Sequence, residues 1–384
     1  MTIYFDNAAT TKASDNVVNI VEKVMKEDYG NPSSLHMAGF DAEKYIKEAK
    51  ATIAGILKAD EKEIFFTSGG TESNNLALIG AADANKRAGN KILVSSIEHP
   101  SVKTTAKHLE DEGFDVVYLP VNKDGVLDLD TLEKEMTKDV ILVSVMHVNN
   151  EIGSIQPIEE IGKLIKDINP SVVYHVDAIQ SFGKLDIKPK AAKIDLLSVS
   201  GHKIHGPKGI GFLYIKNGTK INPIIFGGGQ QEAMRSGTEN VPGIAGLGVA
   251  AKDCYDNLEE NEKKLTELKD YLIDELEKMD GVQVNSKKGE QSAPHIVSAS
   301  FKNVGSEVLL HALEDKGIYV SAGSACSSNK PAISYVLQAI NLDEDLLKST
   351  IRFSFNTENT KEEIDETVKA LEELLPVLSK YVRK

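Results

Sequence analysis

From residue 63 onward, short apolar runs alternate with stretches of helical period. The runs at 64–67, 92–95, 116–119, 140–146, 172–176, 195–199 and 211–215 are the length of strands. Several are unbroken β-branched stretches, as expected of strands buried on both faces of a sheet. Segments 71–87 and 158–168 repeat their apolar residues at helical spacing between those runs. That order predicts an α/β domain with a mainly parallel, seven-stranded sheet covered by helices. Ahead of it, Val17, Val18, Val21 and Val24 form one helical face, and Ile46, Ala49, Ile53 and Leu57 another. Residues 4–11 and 29–34 read as loops from their small polar, Gly and Asn-Pro content.

Past Gly243 the texture turns helical. Leu258, Leu265, Leu268, Leu272, Leu276 and Met279 keep one face apolar, and the Glu- and Lys-rich opposite face reads as solvated. Strands follow at 296–301, 318–320 and 351–355. Thr360 and Glu363 form a capping box for a last helix, which Pro376 should end or kink. The division this implies is a segment 1–14 joining a small domain, a large domain 15–254, and a smaller α+β domain 255–384.

Composition narrows the function. With 384 residues, the chain is long enough for two domains. Its 41% hydrophobic and 27% charged content is that of a globular protein. A formal charge of -14 argues against nucleic acid and anionic membrane as partners. The opening residues show no basic start followed by an apolar run, and no stretch is apolar for long enough to span a bilayer. The two cysteines, Cys254 and Cys326, lack metal-ligand spacing, so no metal site is expected and a reducing cytoplasm is.

Candidate chemistry sits in the loops after the strands. SGHKIHGPKG, from Ser200, puts Lys203 at a strand end, either as a surface-turn lysine or as an amine that carries a cofactor. SGGTESNN, from Ser68, joins a strand to a helix whose N-terminus could take a phosphate; the alternative is a plain turn capped by Thr71. In VVYHVDAIQ, His175 and Asp177 share a strand face, and Asp177 stands at the end where open sheets place ligands. It could pair with a cationic ring nitrogen or cap the next helix. His99 in IEHPS could stack on a ring or serve structure alone. Asn149 and Asn150 in HVNNEIG suit polar contacts. Arg352 in STIRFSF suits a substrate carboxylate or a structural ion pair. Cys326 in AGSACSSN has small polar neighbours, the setting of a reactive thiol; Cys254, between Asp253 and Tyr255, has no such setting.

FDNAATT, GNPSSLH, SGGTESNN, EHPSV, HVNNEIG, YHVDAIQ, SGHKIHGPKG, RSGTEN, GSACSS and IRFS occur in the order found in cysteine desulfurases. Over nearly its whole length the chain resembles their NifS/IscS-type branch, group I, within the class V fold-type I pyridoxal phosphate enzymes. The resemblance implies that pyridoxal 5'-phosphate is joined to Lys203, with Asp177 on its ring nitrogen, His99 against the ring and Gln180 on its phenolic oxygen. Gly70, Thr71, Ser200 and His202 would hold the phosphate, with Thr238 reaching it from the other subunit of a homodimer. Asn150 and Arg352 would bind L-cysteine, and Cys326 would take its sulfur as a persulfide. An iron–sulfur cluster scaffold or a tRNA thiolation pathway would receive it. A selenocysteine lyase, another enzyme of the same fold and cofactor, or an inactive scaffold protein are the alternatives. One departure is Glu232, about where relatives commonly carry a basic residue.

Overall fold

The computed structural model describes residues 2–322 and 333–381. The chain opens with β1 (Ile3–Tyr4) and helices α1 (Asp15–Lys26) and α2 (Met37–Leu57). One sheet then takes β2 (Ile64–Thr67), β3 (Lys91–Ser95), β4 (Asp115–Leu119), β5 (Val140–Met146), β6 (Val173–Asp177), β7 (Leu196–Ser200) and β8 (Gly211–Ile215). Their spatial order is β2-β8-β7-β6-β5-β3-β4. Only β8 runs against its neighbours; β7, β6, β5, β3 and β4 pair in parallel. The seven runs of the sequence are thus the seven strands, in one mainly parallel sheet.

The sheet is buried on both faces because its strands are apolar on both. Leu93, Val143 and Tyr174 pack into a core shared with α1, α2 and α7 (Val241–Asp256). Their neighbours Ile92, Leu142 and Val173 pack into another with α3 (Gly70–Asn85) and α4 (Pro100–Asp111). Helices α5 (Leu129–Glu135) and α6 (Ile158–Ile168) complete the links between strands.

The smaller α+β part holds α8 (Leu258–Leu276), α9 (Ser306–Glu314), α10 (Tyr335–Ala339) and α11 (Lys361–Leu378). Its strands β12 (Ser321–Ala322), β13 (Thr350–Ser354), β10 (Ile296–Phe301) and β9 (Val282–Val284) form an antiparallel sheet in that order. The capping box of Thr360 and Glu363 opens α11.

Three expectations need correction. Residues 5–11 are the loop expected, but Tyr4 belongs to β1, which pairs in parallel with β11 (Ile318–Tyr319), and Phe5 packs edge-to-face on Phe355 at 5.0 Å. A two-residue strand is too short to show a period, and its partner lies at the other end of the chain. The charged face of α8 is not wholly solvated, because Lys269 is fully buried. Its ammonium donates to the Gly289 carbonyl (2.6 Å) and to the Ser292 carbonyl (3.1 Å), which offset the cost of burial. Helix α11 runs past Pro376 to Leu378, then tightens into a 3-10 turn at Ser379–Tyr381.

Candidate active site

Since every strand of the large sheet but β8 points the same way, the loops after β2, β3, β5, β6 and β7 leave at one edge. A cavity of about 680 Å³ lies there. Lys203, His99, Asp177, Gln180, Gly70, Thr71, Ser200, His202, Asn150 and Arg352 all line it, brought together from loops scattered through the sequence. Thr238 does not line it and is exposed on its own chain. Cys326 lies outside the described residues. His175 sits two residues deeper than Asp177 and is part of the core. Its ring bridges Ser144 (2.8 Å) and Ser198 (2.9 Å), and burial drops it to about 3.

Lys203 ends the 3-10 turn Gly201–Lys203 that follows β7. Its ammonium donates to the carbonyls of Ala8 (2.6 Å) and Ala9 (2.7 Å), so the N-terminal segment forms one wall of the site. Behind it, the buried Lys184 donates to the Lys203 carbonyl at 2.8 Å, and burial lowers Lys184 to about 8.

Asp177 closes β6 and is 4% exposed. Its Oδ1 accepts from the Ile179 N–H (2.9 Å) and its Oδ2 from the Asn74 amide (2.8 Å). Burial pushes its carboxyl up, against those two donors and the nearby His99 and Lys203. A buried carboxylate that faces a cavity with two neutral donors suits a cationic ring nitrogen. At the other end, Gly69 (φ 144°) caps α3 with no side chain, leaving the first-turn N–H groups for an anion. A Cβ on Gly70 would lie 2.2 Å from Ile179 Cδ1, so a larger residue there would have to push the Ile179 side chain aside. Carboxylate, amine and uncapped helix start fit pyridoxal phosphate.

His99 caps α4: its Nδ1 accepts from the Ser101 N–H at 3.1 Å, which fixes the ring's orientation. Burial lowers its pKa, and Lys203 adds to that against the opposing pull of Asp177. Gln180 donates to the Ala8 carbonyl (2.9 Å) and meets the buried His295 (3.3 Å).

Both readings of Arg352 have support. It is 8% exposed, and its guanidinium donates to Asp6 (2.8 Å) and to the Asn150 carbonyl (2.8 Å). It is therefore an ion pair, and one that lines the cavity with its Nε still unpartnered. Asp6 was missed in the sequence because only the folded chain brings it to β13. Cys254, expected to be inert, is pushed up to about 11 by burial.

Two buried acids escaped the sequence reading. Glu98 is fully buried; the Met146 N–H donates to its Oε1, its Oε2 has no partner, and burial raises its pKa well above the usual range. Glu151 lines the cavity, accepts from the Ser334 hydroxyl (2.5 Å) and is pushed up to about 7 by burial. Both stand inside quoted motifs, Glu98 just before His99 in IEHPS and Glu151 just after Asn150 in HVNNEIG, which was the signal available. The folded Glu151 keeps its proton up to about pH 7, whereas the unfolded chain releases it near 4.5. Folding stability from this group is therefore present at low pH and lost as pH rises through 7. Glu151→Gln should be more stable than the parent at pH 8 by roughly 1–3 kcal/mol, and no more stable at pH 4, in urea melts at both values.

Among the described residues no helix is long and apolar enough to cross a membrane, and no cluster of His, Cys, Asp or Glu could hold a metal ion. The family described as Aminotransferase class-V matches residues 3–367. Over 378 residues the chain is 43% identical to the cysteine desulfurase IscS of Dictyoglomus turgidum, covering 98% of this chain and 95% of that one. A solved structure named NIFS-like protein superposes with a TM-score of 0.93 at 39% identity, over 98% of this chain and 100% of that one. Another, SspA in complex with cysteine, superposes with a TM-score of 0.80 at 36% identity, over 93% and 99%.

Proposed function

Because this chain belongs to the class-V aminotransferase family and, within it, to the cysteine desulfurases, we propose that its cavity converts L-cysteine to L-alanine and passes the sulfur to Cys326. The enzyme is pyridoxal phosphate-dependent. The observation that carries the site assignment is the meeting of Lys203 and the buried Asp177 in one cavity at the sheet edge.

In this reading Lys203 holds the cofactor through its amine and then takes the substrate's α-proton. Asp177 keeps a proton on the ring nitrogen, His99 and Gln180 fix the ring, and Gly70, Thr71, Ser200 and His202 hold the phosphate. Pyridoxal phosphate, when bound, supplies the sink for the electron pair left at the α-carbon. Arg352, through its guanidinium, and Asn150 orient the substrate carboxylate. The Cys326 thiolate attacks the substrate sulfur, forming an S–S bond as the Cβ–S bond breaks. The electron pair stays with carbon, which takes a proton to become the methyl of alanine. No outside oxidant is required.

A homodimer is part of the proposal. Thr238 is exposed and away from its own cavity, which supports its reaching a partner's phosphate site. Exposed Tyr29, Met37, Phe40 and Phe226 support an apolar contact with a second copy. We also propose the division 1–14, 15–254 and 255–384, a cytoplasmic setting, and an acceptor protein such as an iron–sulfur scaffold or a tRNA-thiolating partner.

The test is direct. The purified protein given pyridoxal phosphate should turn yellow and, with L-cysteine and a dithiol, form alanine and sulfide in equal amounts. A protein that stays colourless, or colour without alanine, would overturn the reading.

A further inference from the structure

Asn74 lies on α3, one turn past Gly70, and is fully buried. Its two side-chain hydrogen bonds share one nitrogen. Nδ2 donates to Asp177 Oδ2 at 2.8 Å and to Ser101 Oγ at 2.9 Å. The Ser101 hydroxyl in turn lies 2.9 Å from His99 Nδ1. That nitrogen already accepts from the Ser101 N–H (3.1 Å), so it carries no proton of its own. With its oxygen receiving the Asn74 hydrogen, Ser101 has its own hydrogen left to give to His99. Asn74 donates to Asp177 and to Ser101, and with Nδ1 as the acceptor the chain runs on from the Ser101 hydroxyl to His99. A neutral His99 then carries its proton on Nε2.

The arrangement has a cost. Asn74 Oδ1 is buried with no partner, and a bare buried acceptor costs about 1–3 kcal/mol. Flipping the amide would turn Oδ1 toward the carboxylate and give up both donations. An asparagine present only to fill the interface of α3 and α4 would place its oxygen where something donates to it. This one uses both hydrogens on groups that line the cavity and leaves the oxygen bare.

We infer that Asn74 is a positioning residue that holds the Asp177 carboxylate and the His99 ring as one hydrogen-bonded unit. The inference rests on the cofactor reading above. Without Asn74, Asp177 keeps only the Ile179 N–H as a donor, and Ser101 loses the contact that orients its hydroxyl. The cofactor then meets a carboxylate and an imidazole that no longer move together.

The test uses the holoenzyme with ¹⁵N-labelled histidine. Asn74→Leu, with the same branching of heavy atoms and unable to donate, should weaken pyridoxal phosphate binding about 10- to 100-fold, the range for a lost hydrogen bond to a charged group. It should also move the pH titration of the cofactor's visible spectrum and shift the His99 Nδ1 resonance. Ser101→Ala, which removes only the arm to His99, should shift that resonance while leaving cofactor affinity within a few-fold. If Asn74→Leu does not fold, Ser101→Ala still decides, since an unmoved His99 resonance there overturns the linkage. Asn74→Leu with parental affinity and an unmoved spectral titration overturns the inference outright. A parent protein that takes up no cofactor instead overturns the reading beneath it, so the two failures are distinct.

Discussion

Lys203→Ala should lose essentially all turnover of L-cysteine, a fall on the order of 10⁴-fold or more, and should lack the yellow colour of covalently held pyridoxal phosphate. The size of the effect follows from the two roles proposed for this one amine, holding the cofactor and moving the α-proton. Neither passes to a neighbour. Lys184 is held behind the turn by the Lys203 carbonyl, and His202 lies against Thr10 at 3.2 Å and is lowered to about 4 by burial and nearby lysines. The fold should survive the change. Lys203 donates to the carbonyls of Ala8 and Ala9, which open onto the cavity and can take water in its place. Pyridoxal phosphate should still bind, reversibly and more weakly, because the uncapped start of α3 and Asp177 remain. Absorbance spectra of the dialysed protein and single-turnover assays of alanine would check this. A variant that kept its colour after dialysis and still released sulfide would remove Lys203 from both roles.

What the sequence made legible was whatever follows from strand ends. Lys203, Asp177, His99 and Gly70 each stand just after an apolar run, and a mainly parallel sheet carries such positions to one edge. Thr360 with Glu363 was legible for a similar reason, since a capping box is local in sequence. Groups defined by distant partners were not. Asp6 gains its meaning from Arg352 at the far end of the chain, and Lys269 from carbonyls on the turn at Gly289. Asn74 stood inside a quoted motif, yet its part depends on Asp177 and Ser101 meeting it from two other elements. The reversal of β8 was equally hidden, because an apolar run looks the same in either direction. Buried Glu98 and Glu151 show the general limit. Burial of a carboxylate is a property of what packs over it, and its own residue type argues against it.

Cys326→Ala should separate colour from chemistry. The variant should keep the yellow cofactor, since Cys326 has no part in holding it, yet sulfide release from L-cysteine should fall by roughly 10³-fold or more. Lys203, proposed for the proton, and Arg352, proposed for the carboxylate, line the cavity, but among its described lining residues none is a thiol. Cys254 does not replace it, being pushed up to about 11 and set against the Ile204 carbonyl at 3.6 Å, away from this cavity. Ala322 and Ile333, the described residues on either side of the segment that holds Cys326, both line the cavity. Next to Ile333, Ser334 is bonded to Glu151 and the Tyr335 hydroxyl to the Glu98 carbonyl. In the variant, proton removal from bound L-cysteine should continue, visible as exchange of the α-hydrogen with deuterium from solvent, while the C–S bond stays intact. Loss of exchange together with loss of sulfide would mean that Cys326 acts earlier than sulfur transfer. Undiminished sulfide would mean that sulfur leaves without a thiol acceptor.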